Sequence, residues 1–226
     1  MTATEPMRLG IIGAGKLGMT VARLAIDAGI EVVISGSGDV DRLAWTVRLL
    51  APGVRAATTA AVAESADVVV LALPFHRFHT LDRGLLDGRI VIDAMNYWEP
   101  VDGADRAPAG GDSSATVQQW FPKARVVKTL NQLGYHALKA AWVATERVAQ
   151  GVAGDDPAAR TTVMALLDRL GFDSVDAGPL AAGVNLVPGS PAFGAASDAS
   201  TLSSLLRAGA TGAGSTAAIW PDRSLS

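Results

Sequence analysis

The sequence contains no cysteine, which excludes disulfide bonds, thiolate metal sites and a cysteine nucleophile. It also has no run of about 18 apolar residues free of charge, so we expect no membrane-spanning segment. The opening MTATEP has neither a basic segment nor a long apolar one, which argues against secretion and predicts a cytoplasmic protein. Basic side chains form no stripe along the chain, so nucleic acid is not an expected partner.

Glycine, by contrast, is concentrated near the start in an informative spacing. Gly13, Gly15 and Gly18 form G-x-G-x-x-G between an apolar strand pattern and a helical pattern that ends at Gly29. Gly13 suits the tight turn, Gly15 lets the backbone approach a pyrophosphate, and Gly18 lets the helix pack close to the strand. Free amides at the helix start would face the phosphates. This strand–turn–helix–strand unit predicts a dinucleotide site.

The end of the second predicted strand bears on which dinucleotide is bound. This strand ends in ISGSG, without the acidic residue that usually bonds the ribose hydroxyls of NAD. The hydroxyls of Ser35 and Ser37 can donate to a 2′-phosphate, which a carboxylate would repel, so the segment favours NADP. Two residues further along leave alternatives open. Asp39 could bond a ribose, and Arg42 could pair with a phosphate.

Continuous apolar runs at residues 66–74, 89–95 and 124–130 predict strands buried on both faces. Helical patterns alternate with them at 40–50 and 59–65, and from Ser113 or Ser114 as the cap to Trp120. This alternation predicts a doubly wound parallel α/β sheet with its ligand over the carboxyl ends of the strands. We expect a dinucleotide-binding domain at residues 7–145 and a small C-terminal unit for substrate or dimerisation at 146–226. Helices are predicted in that unit at 157–170 and 201–208.

Polar residues that follow the predicted strands are the candidates for chemistry. His76, with His79, either delivers a proton or contacts the negative part of an electron acceptor, or both simply begin a helix. Asn131 either bonds a nicotinamide amide or acceptor ring, or caps a helix. His136 has a weaker claim to the same site. The two neighbouring histidines lack a third ligand, so we expect no metal.

Aromatic residues divide into two groups. Trp45, Trp120 and Trp142 fall at helical spacing, which predicts core or dimer contacts. Tyr97 and Trp98 either stack on a flat ligand ring or, as we expect, cover the loop that follows them.

Seven motifs in order resemble one protein family across residues 8–182. They are IIGAGKLG, VISGSGD, VVVLALPF, IVIDAMN, VVKTLN, GVAGDDPAAR and VDAGPL. Together they resemble the NADPH-dependent coenzyme F420 reductases, in which hydride passes directly between NADPH and a deazaflavin. The resemblance implies a Rossmann-type domain, a small C-terminal unit and a homodimer.

The resemblance also implies roles for individual residues. The resemblance implies that the glycine loop and the first residues of the following helix bind the pyrophosphate: Gly13, Gly15, Lys16, Leu17 and Gly18. Ser37 matches a family serine, while Gly38 occupies the position of a family arginine, which makes Arg42 the expected substitute. Residues of the LALPF and IVIDAMN motifs are expected along the ribose and nicotinamide: Leu73, Pro74, Phe75 and Asn96. Asn131 stands where the archaeal reductases carry a histidine beside the deazaflavin, and His76 and Asn131 are the predicted catalytic residues.

Two rivals remain beside a deazaflavin reductase. One keeps NADPH and reduces another small acceptor: a flavin, an imine or a ferric chelate. The other is a non-catalytic redox sensor that binds NADP and presents an apolar patch, around Phe193 or Trp220, to a partner. The sequence leaves the acceptor and the direction of hydride flow open.

Overall fold

The computed structural model describes residues 7–210, which form a single sheet flanked by helices. The strands are β1 (Arg8–Ile12), β2 (Glu31–Ser35), β3 (Arg55–Ala56), β4 (Val68–Leu71), β5 (Ile90–Asp93), β6 (Arg125–Lys128), β7 (Ala149–Gly154) and β8 (Asp173–Gly178). The α-helices are α1 (Lys16–Asp27), α2 (Val40–Leu50), α3 (Thr59–Ser65), α4 (Glu99–Asp102), α5 (Ser113–Trp120), α6 (Tyr135–Trp142), α7 (Pro157–Arg169) and α8 (Ala199–Ala210). Longer 3₁₀ helices span Phe75–Thr80 and Leu180–Leu186.

The strand order is β3-β2-β1-β4-β5-β6-β7-β8. Neighbours from β3 to β6 run parallel, β7 runs antiparallel to β6, and β8 runs parallel to β7. The predicted doubly wound α/β class is therefore confirmed. The chain moves outward from β1 to β3 and then returns to place β4 on the other side of β1. Ligands of such sheets bind at this reversal, above the carboxyl ends of the strands.

Strands β7 and β8 fall within the predicted C-terminal unit, yet they extend the same sheet. Helix α8 and the 3₁₀ helix at Leu180–Leu186 pack on this end of the sheet through a small apolar cluster. Residues 211–226, which include Trp220, lie outside the described part of the chain.

Two larger apolar clusters fill the two faces of the sheet, because strand side chains alternate between faces. One cluster joins Leu9 and Ile11 of β1 to α1, α6 and α7, and the other joins Ile12 to α3, α5 and Phe78. Each fully buried large apolar side chain stabilises the fold by about 1.5–3 kcal/mol. The two layers hold the strands, and hence their carboxyl ends, in fixed register. Within residues 7–210, no helix has the length and apolarity needed to cross a bilayer.

Several helix boundaries agree with prediction because local signals set them. Helix α3 spans the predicted residues, and α7 begins at Pro157 behind the capping carboxylate of Asp156. Gly29 and Gly171 follow their helices with φ of 71° and 88°, the left-handed conformation expected of a terminating glycine.

One expectation about helices was wrong. Helix α5 is capped by Asp112, whose carboxylate accepts from Ala115 N, and not by either predicted serine. Of the two alternatives for the tryptophans, the core one does not hold for Trp45 and Trp142, which are 73% and 38% exposed on faces of α2 and α6 that point away from the sheet. The dimer contact stays a prediction for both.

Candidate functional site

The carboxyl ends of β1, β2 and β4 surround a cavity of about 660 Å³ at the reversal of strand order. Its lining comes from the glycine loop, the β2–α2 connection, the start of α2 and the segment after β4: Ile12, Gly13, Ala14, Gly15, Ser35, Gly36, Ser37, Gly38, Asp39, Arg42, Leu43, Thr46, Thr59, Ala72, Leu73, Pro74, Arg77, Thr80 and Leu81. The structure thus brings together seven predicted cofactor-binding residues in one cavity.

The glycine loop has the shape that its spacing predicts. Gly13 has φ of 117°, and a Cβ there would lie 2.3 Å from the Ala72 carbonyl oxygen. A Cβ on Gly18 would lie 1.9 Å from the carbonyl oxygen of Gly13, so helix and loop touch. Gly15, in contrast, faces open space at the start of α1, where no side chain caps the helix. The first amides of α1 are therefore available to an anion.

Lys16 and Leu17 follow directly in α1 and do not line the cavity. The ammonium of Lys16 lies 5.4 Å from the centroid of the Tyr135 ring. This contact places a positive charge beside the start of α6.

The β2–α2 connection presents hydroxyls and a guanidinium. Ser37, Gly38 and Arg42 line the cavity. Ser35 also belongs to this lining but is largely buried, and its Oγ accepts from Thr59 Oγ1 at 3.2 Å. The Oδ1 atom of Asp39 accepts from the backbone amides of residues 41 and 42 at 2.9 and 3.0 Å. This carboxylate is engaged as the N-cap of α2 and holds the helix start in place.

In the segment after β4, two residues face the cavity and the next one is buried in the core. Leu73 and Pro74 line the cavity. Phe75 is buried, its ring lying 5.0 Å from that of Phe78 and 6.0 Å from that of Tyr97. Phe75 therefore supports the segment from below and takes no part in the lining.

His76 is held by a buried carboxylate that sequence reasoning missed. Oδ1 of Asp102 lies 2.8 Å from His76 Nδ1 and accepts from the His76 backbone amide at 2.9 Å. Oδ2 of Asp102 accepts from the backbone amide of Trp98 at 2.8 Å. The carboxylate favours a proton on Nδ1, which leaves Nε2 of a neutral ring as an acceptor. The His76 side chain is 33% exposed, so a ligand or water can reach this ring.

Asn96 and Asn131 join the ends of β5 and β6. Asn96 Nδ2 donates to the Asn131 carbonyl oxygen at 2.8 Å, and Asn131 Nδ2 donates to Asn96 Oδ1 at 3.0 Å. Asn131 Nδ2 also donates to the carbonyl oxygen of Leu186 at 2.8 Å. Helix α6 begins at Tyr135 with Gly134 as its N-cap, so the alternative that Asn131 caps this helix does not hold. Its side chain faces the sheet end, and its Oδ1 has no hydrogen-bond partner among residues 7–210.

A buried ion pair lies next to these asparagines. Lys128 Nζ is 3.1 Å from Asp93 Oδ2, and both side chains are fully buried. The ammonium also donates to the Met95 carbonyl oxygen and to Ser113 Oγ, while Ser114 Oγ donates to Asp93 Oδ2 at 2.7 Å. Burial lowers the pKa of Lys128, and the Asp93 carboxylate partly opposes that shift. The two serines expected to cap α5 serve this network instead.

The rings of the other two histidines contact neighbouring aromatic rings. The His79 ring is 3.8 Å from that of Phe78 and 5.0 Å from that of Trp120, and burial together with the charge of Arg106 lowers its pKa. The His136 ring lies 4.0 Å from that of Tyr135. Among the described residues, no three side chains of metal-binding type are grouped to hold a metal ion.

A second cavity, of about 230 Å³, lies between the loop after β5 and the segment that follows the 3₁₀ helix Leu180–Leu186. It is lined by Tyr97, Ala107, Pro108, Gly111, Ser113, Val187 and Pro188. The Tyr97 hydroxyl donates to the carbonyl oxygen of Gly103, and the Trp98 ring lies 5.9 Å from that of Phe193. Both aromatics of this loop therefore pack against the chain itself.

Three functional features were missed in the sequence. Asp93 and Lys128 were visible as opposite charges near the ends of two otherwise apolar strands, which is a usable signal of a buried pair. Asp102 lies 26 residues after His76, in a loop without a motif, so nothing local connects the two. Arg77 lines the cavity from the HRFH segment, where no motif marks the arginine.

Comparison with known proteins agrees with this geometry. Residues 8–97 match the model of a family described as NADP oxidoreductase, coenzyme F420-dependent, which confirms the predicted resemblance over that stretch. SMa0349 from Sinorhizobium meliloti, described as a hypothetical protein, is 29% identical with a TM-score of 0.75, over 85% of this chain and 96% of that one. No curated protein sequence matches the chain.

Two further solved structures extend the comparison. A protein from Arthrobacter sp. FB24, named as a candidate F420-dependent NADP-reductase, is 26% identical with a TM-score of 0.64, over 95% of this chain and 100% of that one. An imine reductase from Pseudomonas sp. is 13% identical with a TM-score of 0.56, over 77% of this chain and 56% of that one, a likeness that shows the fold alone.

Proposed function

We propose that this NADP-dependent oxidoreductase transfers hydride between NADPH and a deazaflavin, coenzyme F420, because residues 8–97 match the model of the coenzyme F420-dependent NADP oxidoreductases. The family match over the glycine loop and the strands around the cavity is the observation that carries the proposal. We also propose that the protein is cytoplasmic and forms a homodimer. The deazaflavin would lie between the nicotinamide and the C-terminal unit.

The residues present fit a dinucleotide. Gly15 has free space at its Cα in the wall of the cavity, and the first amides of α1 lack a capping side chain. Gly13, Gly15 and Gly18, with Lys16 and Leu17 behind them, would hold the pyrophosphate. Ser37 and Arg42 would hold the 2′-phosphate, with Ser35 supporting them from the strand end. When bound, NADPH supplies the hydride.

Residues beyond β4 and β5 would orient the reacting rings. Leu73 and Pro74 line the cavity and would keep water from the ribose and nicotinamide, with Phe75 packed beneath them. Asn96 is held by Asn131, and the free Oδ1 of Asn131 can accept a hydrogen bond from a carboxamide. Hydride transfer depends chiefly on such positioning, so these roles need no acid or base.

Reduction of a deazaflavin consumes a proton as well as a hydride, and His76 can supply it. With Asp102 holding Nδ1–H, the proton in transit is the one on Nε2. The Asp102 carboxylate would hold the ring in one orientation through its 2.8 Å contact with Nδ1. A second role for His76, attraction of the negative part of the acceptor, uses the same charged ring.

The proposal is tested by mixing the purified protein with NADPH and oxidised F420 and following loss of the deazaflavin absorbance. We expect turnover with NADPH and little with NADH or with flavin mononucleotide as acceptor. Tight NADPH binding without turnover of F420 would overturn the assignment, and turnover of a flavin, imine or ferric chelate would identify the alternative acceptor.

The role of His76 is tested by His76→Gln, with His79→Gln as the matched control. Proton delivery predicts a fall in kcat of about 10²–10⁴-fold, because general acid–base catalysis contributes about that much. Contact with a negative acceptor predicts instead a rise in KM at unchanged kcat, which increasing salt would reproduce in the wild type. If His76→Gln and His79→Gln have the same kcat and KM, His76 has no role in the reaction.

A further inference from the structure

We infer that Arg77 is a specificity-determining residue for the nucleotide, contributing a second cation to the 2′-phosphate of NADP from the segment that follows β4. The inference rests on the proposed NADP-dependent function and adds to it a residue that no motif in the chain marks.

The backbone around Arg77 is fixed while its side chain is free. Arg77 lies in the 3₁₀ helix Phe75–Thr80, where its amide donates to the Pro74 carbonyl oxygen at 2.9 Å. Thr80 Oγ1 donates to the Arg77 carbonyl oxygen at 2.8 Å. The guanidinium has no hydrogen bond or ion pair with any of residues 7–210, and Arg77 lines the large cavity.

The charges of the cavity leave a place for an anion. Arg42 and Arg77 line it from separate segments, and neither guanidinium is paired with a carboxylate in the described chain. Asp39 is the one carboxylate of this lining, and its Oδ1 is occupied by the helix cap. Two unpaired guanidiniums on one cavity repel each other unless a ligand carries negative charge between them. Guanidinium groups bind phosphate oxygens in pairs of hydrogen bonds, which suits a phosphate monoester.

The geometry of Gly38 explains why the second cation would come from another segment. Gly38 has φ of 107°, a conformation that an arginine with its Cβ adopts only under strain. A cation next to Ser37 is therefore disfavoured in this backbone. Arg77 reaches the same cavity from β4's carboxyl end without any change in the β2–α2 connection.

A pyrophosphate contact is the competing role, and nucleotide binding separates the two. The variants Arg77→Gln, Arg42→Gln and the double variant are titrated with NADPH and NADH without any acceptor, and with 2′,5′-ADP and 5′-AMP as adenosine-end probes. Arg23→Gln, an exposed arginine of α1 away from the cavity, is the matched control. Circular dichroism checks that each variant is folded.

We expect Arg77→Gln to weaken NADPH and 2′,5′-ADP binding by about tenfold to a hundredfold, the usual effect of a lost charged hydrogen bond. NADH and 5′-AMP binding should change less than about twofold, since neither ligand carries the 2′-phosphate. The Arg23 control should bind all four as the wild type does.

Three results would overturn the inference. Equal weakening of NADPH and NADH would assign Arg77 to the pyrophosphate. Unchanged binding of both would leave it as a solvated surface residue. A wild-type protein that binds NADH more tightly than NADPH would show that the cavity holds no site for the 2′-phosphate. Because no acceptor is present, a failure of F420 reduction would count against the proposed function while leaving the result for Arg77 standing.

Discussion

Replacing Lys128 by methionine should destabilise the protein far more than the loss of one surface ion pair would. Both Lys128 and Asp93 are fully buried, with 3.1 Å between Nζ and Oδ2. Lys128→Met leaves the Asp93 carboxylate with one hydroxyl donor, Ser114, and one backbone amide, that of Met95. Breaking such a buried pair typically costs about 3–5 kcal/mol, because the remaining charge is uncompensated. That is a large part of a total stability of about 5–15 kcal/mol.

A double-mutant cycle isolates the coupling between the two groups. Asp93→Asn alone should also be costly, because it strands the ammonium, whereas the double variant Lys128→Met/Asp93→Asn contains no buried charge. We therefore expect the double variant to lose less than the sum of the single losses, with a coupling of about 2–3 kcal/mol. Urea unfolding followed by circular dichroism measures each free energy, provided that the m-value stays constant.

The exposed pair of Lys123 and Asp87 serves as the control. Its Nζ–Oδ2 distance is 2.9 Å, yet its side chains are 74% and 39% exposed, so the same cycle should show no comparable coupling. Additive single effects at Lys128 and Asp93, or single effects no larger than those of the control pair, would refute the argument from burial.

Three further changes have defined outcomes. The pKa of His79 is lowered in the folded protein, so the unfolded chain binds a proton more strongly and the wild type loses stability as pH falls below 6.5. His79→Phe should remove this loss. Identical pH profiles of the thermal melting temperature for the variant and the wild type would contradict the prediction. Gly18→Ala should weaken NADPH binding at least about tenfold, or by about 1.4 kcal/mol, since its Cβ would collide with the Gly13 carbonyl oxygen, and undiminished binding in a fluorescence titration would count against the loop geometry. Asp39→Ala should cost about 1 kcal/mol in urea unfolding through loss of the α2 cap, without weakening NADPH; a selective loss of NADH binding would show that this carboxylate bonds a ribose.

The phosphate loop was predictable because its geometry is encoded locally. The spacing of Gly13, Gly15 and Gly18 requires a turn and a close helix, and the structure places both there. Helix α7 was predictable for the same reason, since a proline and a capping carboxylate define its first turn. The strand predictions were longer than the strands: residues 66–74 were expected and Val68–Leu71 are paired, because apolar residues continue past the last ladder hydrogen bond.

Contacts across the chain escaped prediction. Asp102 reaches His76, and Asn131 reaches Leu186 across 55 positions, and neither link leaves a periodic signal in the sequence. Asn131 also shows how a good local rule can be overridden: asparagine suits a helix N-cap, yet here the helix starts four residues later. The amide satisfies two oxygens at the sheet end instead, which a buried position demands.

The contact between the glycine loop and β4 has a consequence for the order in which the protein folds. Ala72 N donates to the Ile12 carbonyl oxygen at 2.9 Å, and the Ala72 carbonyl lies against the Cα of Gly13. The loop thus reaches its final form only after about sixty intervening residues have closed back on β1, a long-range step that is slow compared with helix formation. In a refolding experiment, nucleotide binding should therefore appear after most of the helical signal, as a marker of sheet completion.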